Sequence, residues 1–220
     1  MRLGAGVPKA FVPLHGQPLL RYALDRALAV AAVRHVVVVA PVGCVDDALA
    51  VSATASAESG GAAQVDVVAG GAERSASVQA GLRALAAQDQ VVLVHDAARA
   101  LAPASLFEAV IAQVGAGSPA VVPGLPVNDT VKIVDEAGRV TSTPPRERLR
   151  AIQTPQGFRR EVLDRAHAGG SCATDDAALV ELTGVPVMVI DGDPRAVKVT
   201  TPRDLDLART ILQEDSHRAR

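Results

Sequence analysis

A carboxylate stands where a buried-looking strand ends: Val91-Val92-Leu93-Val94 and His95 lead into Asp96-Ala97-Ala98-Arg99. A carboxylate in that place can hold a magnesium ion, and two small neighbours let a nucleotide approach the backbone. The same four residues also read as a capping aspartate followed by a surface arginine. Gly70-Gly71 closes another short apolar run, and a glycine pair there is either an ordinary turn or one that a ligand approaches. Lysine usage narrows the choice, because the 22 cations are nineteen arginines and only three lysines. Lys9 sits in the Gly/Pro-rich stretch Gly6-Val7-Pro8-Lys9, where a flexible point charge can reach a polyphosphate. Lys132 follows Asn128-Asp129-Thr130-Val131. Lys198 lies in Val197-Lys198-Val199-Thr200, which reads as a buried strand end, where an ammonium needs an anionic partner such as a phosphate.

These residues need elements to hold them, and the chain alternates strand-like and helix-like segments. Residues 18–33 carry Leu19, Leu20, Ala23, Leu24, Ala27 and Leu28 at helical spacing with charges opposite. Residues 35–40 form a β-branched run with no polar alternation, as in a parallel strand covered on both faces. A weak helix over 46–58, a strand over 65–69, a helix over 75–88, a strand over 91–94, a helix over 103–114 and a strand over 120–122 follow. This order predicts an α/β fold, a doubly wound and mostly parallel Rossmann-like sheet. In such sheets ligands bind beyond the carboxyl ends of the strands, which is where Gly70-Gly71, Asp96 and Asp191-Gly192-Asp193 fall.

After Pro123 the pattern changes. Residues 130–134 and 139–141 read as a hairpin around Asp135-Glu136-Ala137-Gly138, and Pro144-Pro145 rules out a helix. Six of the 22 cations lie between Arg139 and Arg160, so this is a basic excursion, a protruding β-hairpin arm spanning residues 124–156. The chain then resumes with a helix near Arg159, a helix from about Thr174, strands over 187–190 and 197–199, and a last helix from Pro202 with Thr201 as its cap. One domain over residues 1–220 is expected, with the arm as part of it.

Composition excludes several classes. At 49% hydrophobic and 21% charged the 220 residues are those of an ordinary globule. The longest apolar run, 36–45, is about half a membrane span and is broken by Pro41 and Gly43. A net charge of −2 gives no reason to expect nucleic-acid binding. Cys44 and Cys172 have no metal or redox spacing and read as reduced thiols of a cytoplasmic protein.

Seven segments in order resemble the 2-C-methyl-D-erythritol 4-phosphate cytidylyltransferases of the nucleotidyltransferase superfamily. They are Arg2-Leu3-Gly4 to Pro8-Lys9-Ala10, Gly70-Gly71-Ala72-Glu73-Arg74-Ser75, Val94-His95-Asp96-Ala97-Ala98-Arg99, Asp129-Thr130-Val131-Lys132, Gln153-Thr154-Pro155-Gln156-Gly157-Phe158, Thr174-Asp175-Asp176-Ala177 and Lys198-Val199-Thr200. The resemblance implies a transferase that joins CTP to methylerythritol 4-phosphate and releases pyrophosphate. It implies Arg2 and Lys9 as transition-state stabilisers and Asp96 as the Mg²⁺ ligand. Gly71, Ser77 and Ala97 would line the cytidine pocket, with Arg99 among the substrate-binding residues. Arg146 and Lys198 would position the methylerythritol phosphate, with Thr130, Thr154 and Thr174 as hydroxyl donors near it. It also implies a homodimer formed through the arm. Two alternatives stay open: a cytidylyltransferase for another polyol phosphate, such as ribitol 5-phosphate, and a non-catalytic remnant. The second arises because family members carry a strand and an Ala-Ala-Gly-x-Gly loop just before the Arg-Leu pair, where this chain has Met1. The expectation is a misassigned start.

Overall fold

The computed structural model describes residues 7–61, 63–169 and 173–218. Arg2, the front of the first motif and Cys172 lie outside them. The described chain opens with a 3₁₀ turn, Lys9–Phe11, and a tight hairpin of β1 (Pro13–Leu14) and β2 (Gln17–Pro18). That hairpin turns on His15 and Gly16 at φ 47° and 80°, the left-handed pair that a two-residue turn of this hand requires. Helix α1 (Leu19–Leu28) follows. It is shorter than its apolar periodicity suggests, because Val30 leaves the helix to bury itself against Leu106 and Phe107.

Next come β3 (His35–Ala40), α2 (Val45–Glu58) and β4 (Gln64–Ala69), a βαβ unit whose strands pair in parallel from His35↔Gln64 to Ala40↔Ala69. Helix α3 (Arg74–Ala84), β5 (Val91–Val94), α4 (Ala104–Gly115) and β6 (Ala120–Pro126) continue the alternation. The arm carries β7 (Ile133–Val134) and β8 (Val140–Ser142) at its tip and returns through β9 (Arg150–Ile152), which pairs antiparallel with the end of β6. Then follow β10 (Gln156–Arg159), α5 (Arg160–Ala168), α6 (Asp176–Glu181), β11 (Met188–Asp191) and α7 (Pro202–Arg218).

The larger sheet has the order β11-β6-β10-β5. Strand β11 runs parallel to β6, while β10 is antiparallel to both β6 and β5, so those two run the same way. Alternate residues serve opposite faces. Val92, Ala120, Val122 and Phe158 pack under α3, α5 and α6, whereas Leu93 and Val121 meet Val110 and Val114 of α4. Helices therefore cover both faces, as the βα alternation predicted. Gly157 is where α4 presses closest: a Cβ there would stand 2.4 Å from a Val110 methyl.

Several boundaries need correction. Helix α3 ends at Ala84 because Leu85 is already extended. Residues 197–199 are not a strand; Val199 donates one backbone bond to Ala98 and lies over the Ala97–Arg99 turn instead of beside another strand. Helix α6 starts at Asp176 with Asp175 as its cap, accepting the Ala178 N–H, so Thr174 lies outside it. Strands β9 and β10 had no sequence signal: three and four residues without alternation leave little to read. The start of α7 is as expected. Thr201 Oγ1 accepts the Asp204 N–H, and Asp204 accepts the N–H groups of Thr200 and Thr201, a reciprocal cap.

Among the described residues β3 pairs only with β4, and β5 is the last strand of its sheet. Their free edges line one largely apolar groove of about 720 Å³, together with Leu20 and Leu24 of α1 and Val78 and Leu82 of α3. Among the described residues no helix is long and apolar enough to cross a membrane.

Candidate active site

At the carboxyl end of β5 the groove is bordered by Asp96, Ala97, Ser77, Arg74 and Phe11. Asp96 is held there from two sides. Its backbone N–H donates to Thr154 Oγ1 at 3.0 Å, and its carboxylate pairs with Lys198 Nζ at 2.7 Å. Burial works to raise the Asp96 pKa, but the hydrogen bond and charge of Lys198, with the charges of Arg74 and Arg99, bring it below the usual carboxylate value. The residue is therefore an anion at neutral pH. Lys198 sits on the irregular stretch after β11 and is half-exposed, not buried as the strand reading implied, and its anionic partner within the chain is Asp96.

The neighbours of Asp96 form a rigid mount. His95 is partly buried with its Nε2 shut off from solvent, its ring 4.9 Å from that of Phe107, and its Nδ1 lies 3.0 Å from Thr154 Oγ1. Burial pushes its pKa down to about 4, so the imidazole is neutral at pH 7. Thr154 is buried, and its hydroxyl serves Asp96 and His95. Arg99 is turned into the protein: Nη1 donates to the Ala196 carbonyl at 2.7 Å and Nη2 to that of Ile152 at 3.0 Å. It ties the Asp96 turn to β9 and to the loop carrying Lys198. Gln153 adds a second tie, donating to the Asp193 carbonyl and accepting the Asp193 N–H.

The glycine pair builds the opposite wall. A Cβ on Gly71 would stand 2.4 Å from the Cβ of Ala76, so only glycine lets the turn close on the first turn of α3. Ser77 Oγ accepts the Gly71 N–H at 3.1 Å and donates to the Glu73 carbonyl, locking that turn. Helix α3 has no side-chain cap, which leaves its first N–H groups for an anion. Lys9 is exposed on the 3₁₀ turn that packs against the Ala97–Arg99 turn.

The chain thus gathers Gly71, Ser77, Asp96, Ala97, Arg99, Thr154 and Lys198, with Lys9 on the neighbouring turn. Arg146 and Thr130 stand apart on the arm. Arg146 is exposed and donates to the Asn128 carbonyl at 2.7 Å, bracing the arm's base, and Thr130 is exposed as well. Thr174 is exposed ahead of α6. Sequence reasoning passed over Arg74 as a site residue although it lies inside a quoted motif. The signal was available: a cation in the first turn of a helix opposes the helix dipole and needs another reason to be there. Asp96 is a single ionised carboxylate reachable from the groove, which fits a magnesium ion held mainly by phosphates and water. Among the described residues no cluster of three or more His, Cys, Asp or Glu could make a protein-only metal cage.

A family model described as 2-C-methyl-D-erythritol 4-phosphate cytidylyltransferase (IspD) matches residues 1–214. The chain belongs to this family. The family is one of cytidylyltransferases, which are transferases. A protein of that name from Nocardia farcinica is 50% identical over 212 residues, covering 96% of this chain and 89% of the relative. One from Rhodococcus opacus is 51% identical over 218 residues, covering 99% and 92%. Among solved structures, the Thermus thermophilus cytidylyltransferase of the same name is 38% identical with a TM-score of 0.75, covering 95% of each chain. The 4-diphosphocytidyl-2C-methyl-D-erythritol synthase of Anaerococcus prevotii is 28% identical with a TM-score of 0.85, covering 96% of this chain and 92% of that one.

Proposed function

We propose that this chain transfers the cytidylyl group of CTP to the phosphate of 2-C-methyl-D-erythritol 4-phosphate. The products are 4-diphosphocytidyl-2-C-methyl-D-erythritol and pyrophosphate. The observation that carries this is the ionised Asp96, paired with Lys198 beside the Gly70-Gly71 turn and the uncapped start of α3. An oxygen of the polyol phosphate attacks the α-phosphorus in line, and the bond from that phosphorus to the bridging oxygen of pyrophosphate breaks. No protein nucleophile is needed, so the rate rests on placement and on neutralising charge.

The residues divide accordingly. Lys9 and Lys198 would neutralise the negative charge that builds on the transferring group and on the leaving pyrophosphate, and by family resemblance Arg2, outside the described residues, would share that role. Gly71 and Ala97 border the cytidine, and Ser77 holds the Gly71 turn in shape. His95, Thr154 and Arg99 keep Asp96 and the Lys198 loop in register. The Asp96 oxygen that Lys198 does not hold would serve a magnesium ion, which when bound neutralises phosphate charge.

Arg146, Thr130 and Thr174 remain for the polyol phosphate. The guanidinium fork of Arg146 suits a bidentate grip on that phosphate. The arm carries Ile133 and Val140 at 53% and 58% exposure, apolar surface that a second copy's arm would cover in a twofold homodimer. Arg146 would then serve the neighbouring subunit's site.

The test is turnover of methylerythritol 4-phosphate and ribitol 5-phosphate side by side with CTP and magnesium, followed by pyrophosphate release. The proposal expects a clear preference in kcat/KM for the first. Equal or better use of ribitol 5-phosphate would assign the chain to a different polyol.

A further inference from the structure

Helix α3 is fastened to the α5–α6 unit at three points. At its C-terminal end Arg160 donates to the Leu82 carbonyl at 2.8 Å, and at its middle Gln79 donates to the His167 carbonyl at 3.1 Å. Both links end on neutral backbone groups. The third, at the N-terminus, is of another kind: Arg74 Nη2 meets Asp176 Oδ2 at 2.5 Å. Asp176 is fully buried, and its other oxygen lies 2.8 Å from Nε2 of the buried His167. Burying a carboxylate is costly even when it is paired, and packed apolar residues would dock a helix as well. The two other links already hold α3 in place, so docking does not explain the ion pair.

The exposed side of Arg74 supplies a reason. Its side chain is 40% exposed and borders the same groove as Ser77, Asp96 and Ala97. One terminal nitrogen meets Asp176, and among the described residues the guanidinium makes no other hydrogen bond. A guanidinium has five N–H donors in a rigid fork, so anchoring one edge sets the direction of the rest.

We propose that Asp176, itself held by His167, is a positioning residue that fixes Arg74 so that its remaining donors bind the phosphates of the nucleotide. This rests on the reading of CTP as substrate and adds to it a phosphate contact and the device that aims it.

The test is calorimetric binding of CTP to the wild-type chain, Arg74→Met, Asp176→Asn and the double variant, with melting temperatures taken in parallel. Arg74→Met and Asp176→Asn should each weaken CTP about tenfold or more, and the double variant should be no weaker than Arg74→Met alone, because Asp176 acts through Arg74. A purely structural Asp176 would lower the melting temperature with CTP affinity unchanged, or add its loss to that of Arg74, and either result overturns the proposal. Should Asp176→Asn fail to fold, the half-exposed Arg74→Lys replaces it. A lysine can meet Asp176 or a phosphate but not both, so affinity should fall with stability kept, and unchanged affinity overturns the proposal. Absence of CTP binding by the folded wild type would instead remove the substrate reading itself, and this proposal with it.

Discussion

Replacing Thr154 by valine separates two roles for its hydroxyl. By family resemblance it would donate to the polyol substrate; in the structure it serves the Asp96 N–H and His95 Nδ1, both at 3.0 Å. Valine has nearly the same shape, so no cavity opens, but two enclosed polar groups lose their partner. Each such loss costs about 1–3 kcal/mol, and allowing for some relaxation the sum is roughly 2–4 kcal/mol. In a domain of this size that lowers the melting temperature by about 5–12 °C. Scanning calorimetry gives the stability, and steady-state kinetics with each substrate varied gives the function. The expected variant is clearly destabilised, with kcat reduced because Asp96 is then held only by Lys198 and with KM for the polyol phosphate little changed. Thr154→Ser, which keeps the hydroxyl, should stay close to the parent. A valine variant of unchanged stability whose only defect is a raised KM for the polyol phosphate would refute this reasoning and make Thr154 a substrate contact.

Three further outcomes follow from particular contacts. His95 binds a proton near pH 6.5 when unfolded but only near pH 4 when buried, so the folded state loses stability as pH falls through that window, by up to about 3 kcal/mol. Denaturant midpoints between pH 7 and 4.5 should show this slope, and His95→Gln should flatten it; an unchanged slope would mean another group is responsible. Gly71→Ala forces a Cβ against Ala76 and should cost about 1–3 kcal/mol, with Ala76→Gly restoring part of it in the double variant; a harmless Gly71→Ala would show that the turn is not closely packed. Ile133→Asp with Val140→Asp changes only exposed arm positions, so on the proposed twofold assembly the parent should sediment as a dimer and the variant as a monomer, and dimers that persist would place the interface elsewhere.

Much of this architecture was legible because it follows from chain-local physics. The β-branched runs at 35–40 and 91–94 name strands without any knowledge of partners, although most of their residues are only partly buried and Val91 is exposed, and Thr201-Pro202 with Asp204 writes the start of α7 in four residues. What was not legible depends on distant partners. Strand β10 has four residues, one of them Gly157, and becomes a strand because it lies between β5 and β6. Lys198 looked like part of a strand because Val197 and Val199 flank it, yet Val199 is buried against the Asp96 turn. Thr154 and Arg99 read as ligand contacts in a linear motif. Their hydrogen bonds, to groups on other elements, give them a holding role visible only in three dimensions. Arg74 and Asp176 are 102 positions apart, and no local pattern joins them.

The most direct test of the account is pyrophosphate release by the wild-type chain and by Lys198→Met, each supplied with CTP, magnesium and 2-C-methyl-D-erythritol 4-phosphate. The wild type should release one pyrophosphate for each cytidylylated product and none without the polyol phosphate. Lys198→Met, changed at a half-exposed side chain, should fold as well but turn over about 100-fold or more slowly, as expected for removing a charge that, on the proposed reading, neutralises the transferring group. A folded wild type that releases no pyrophosphate, or a Lys198→Met variant as fast as its parent, would contradict the assignment of this groove as the site of cytidylyl transfer.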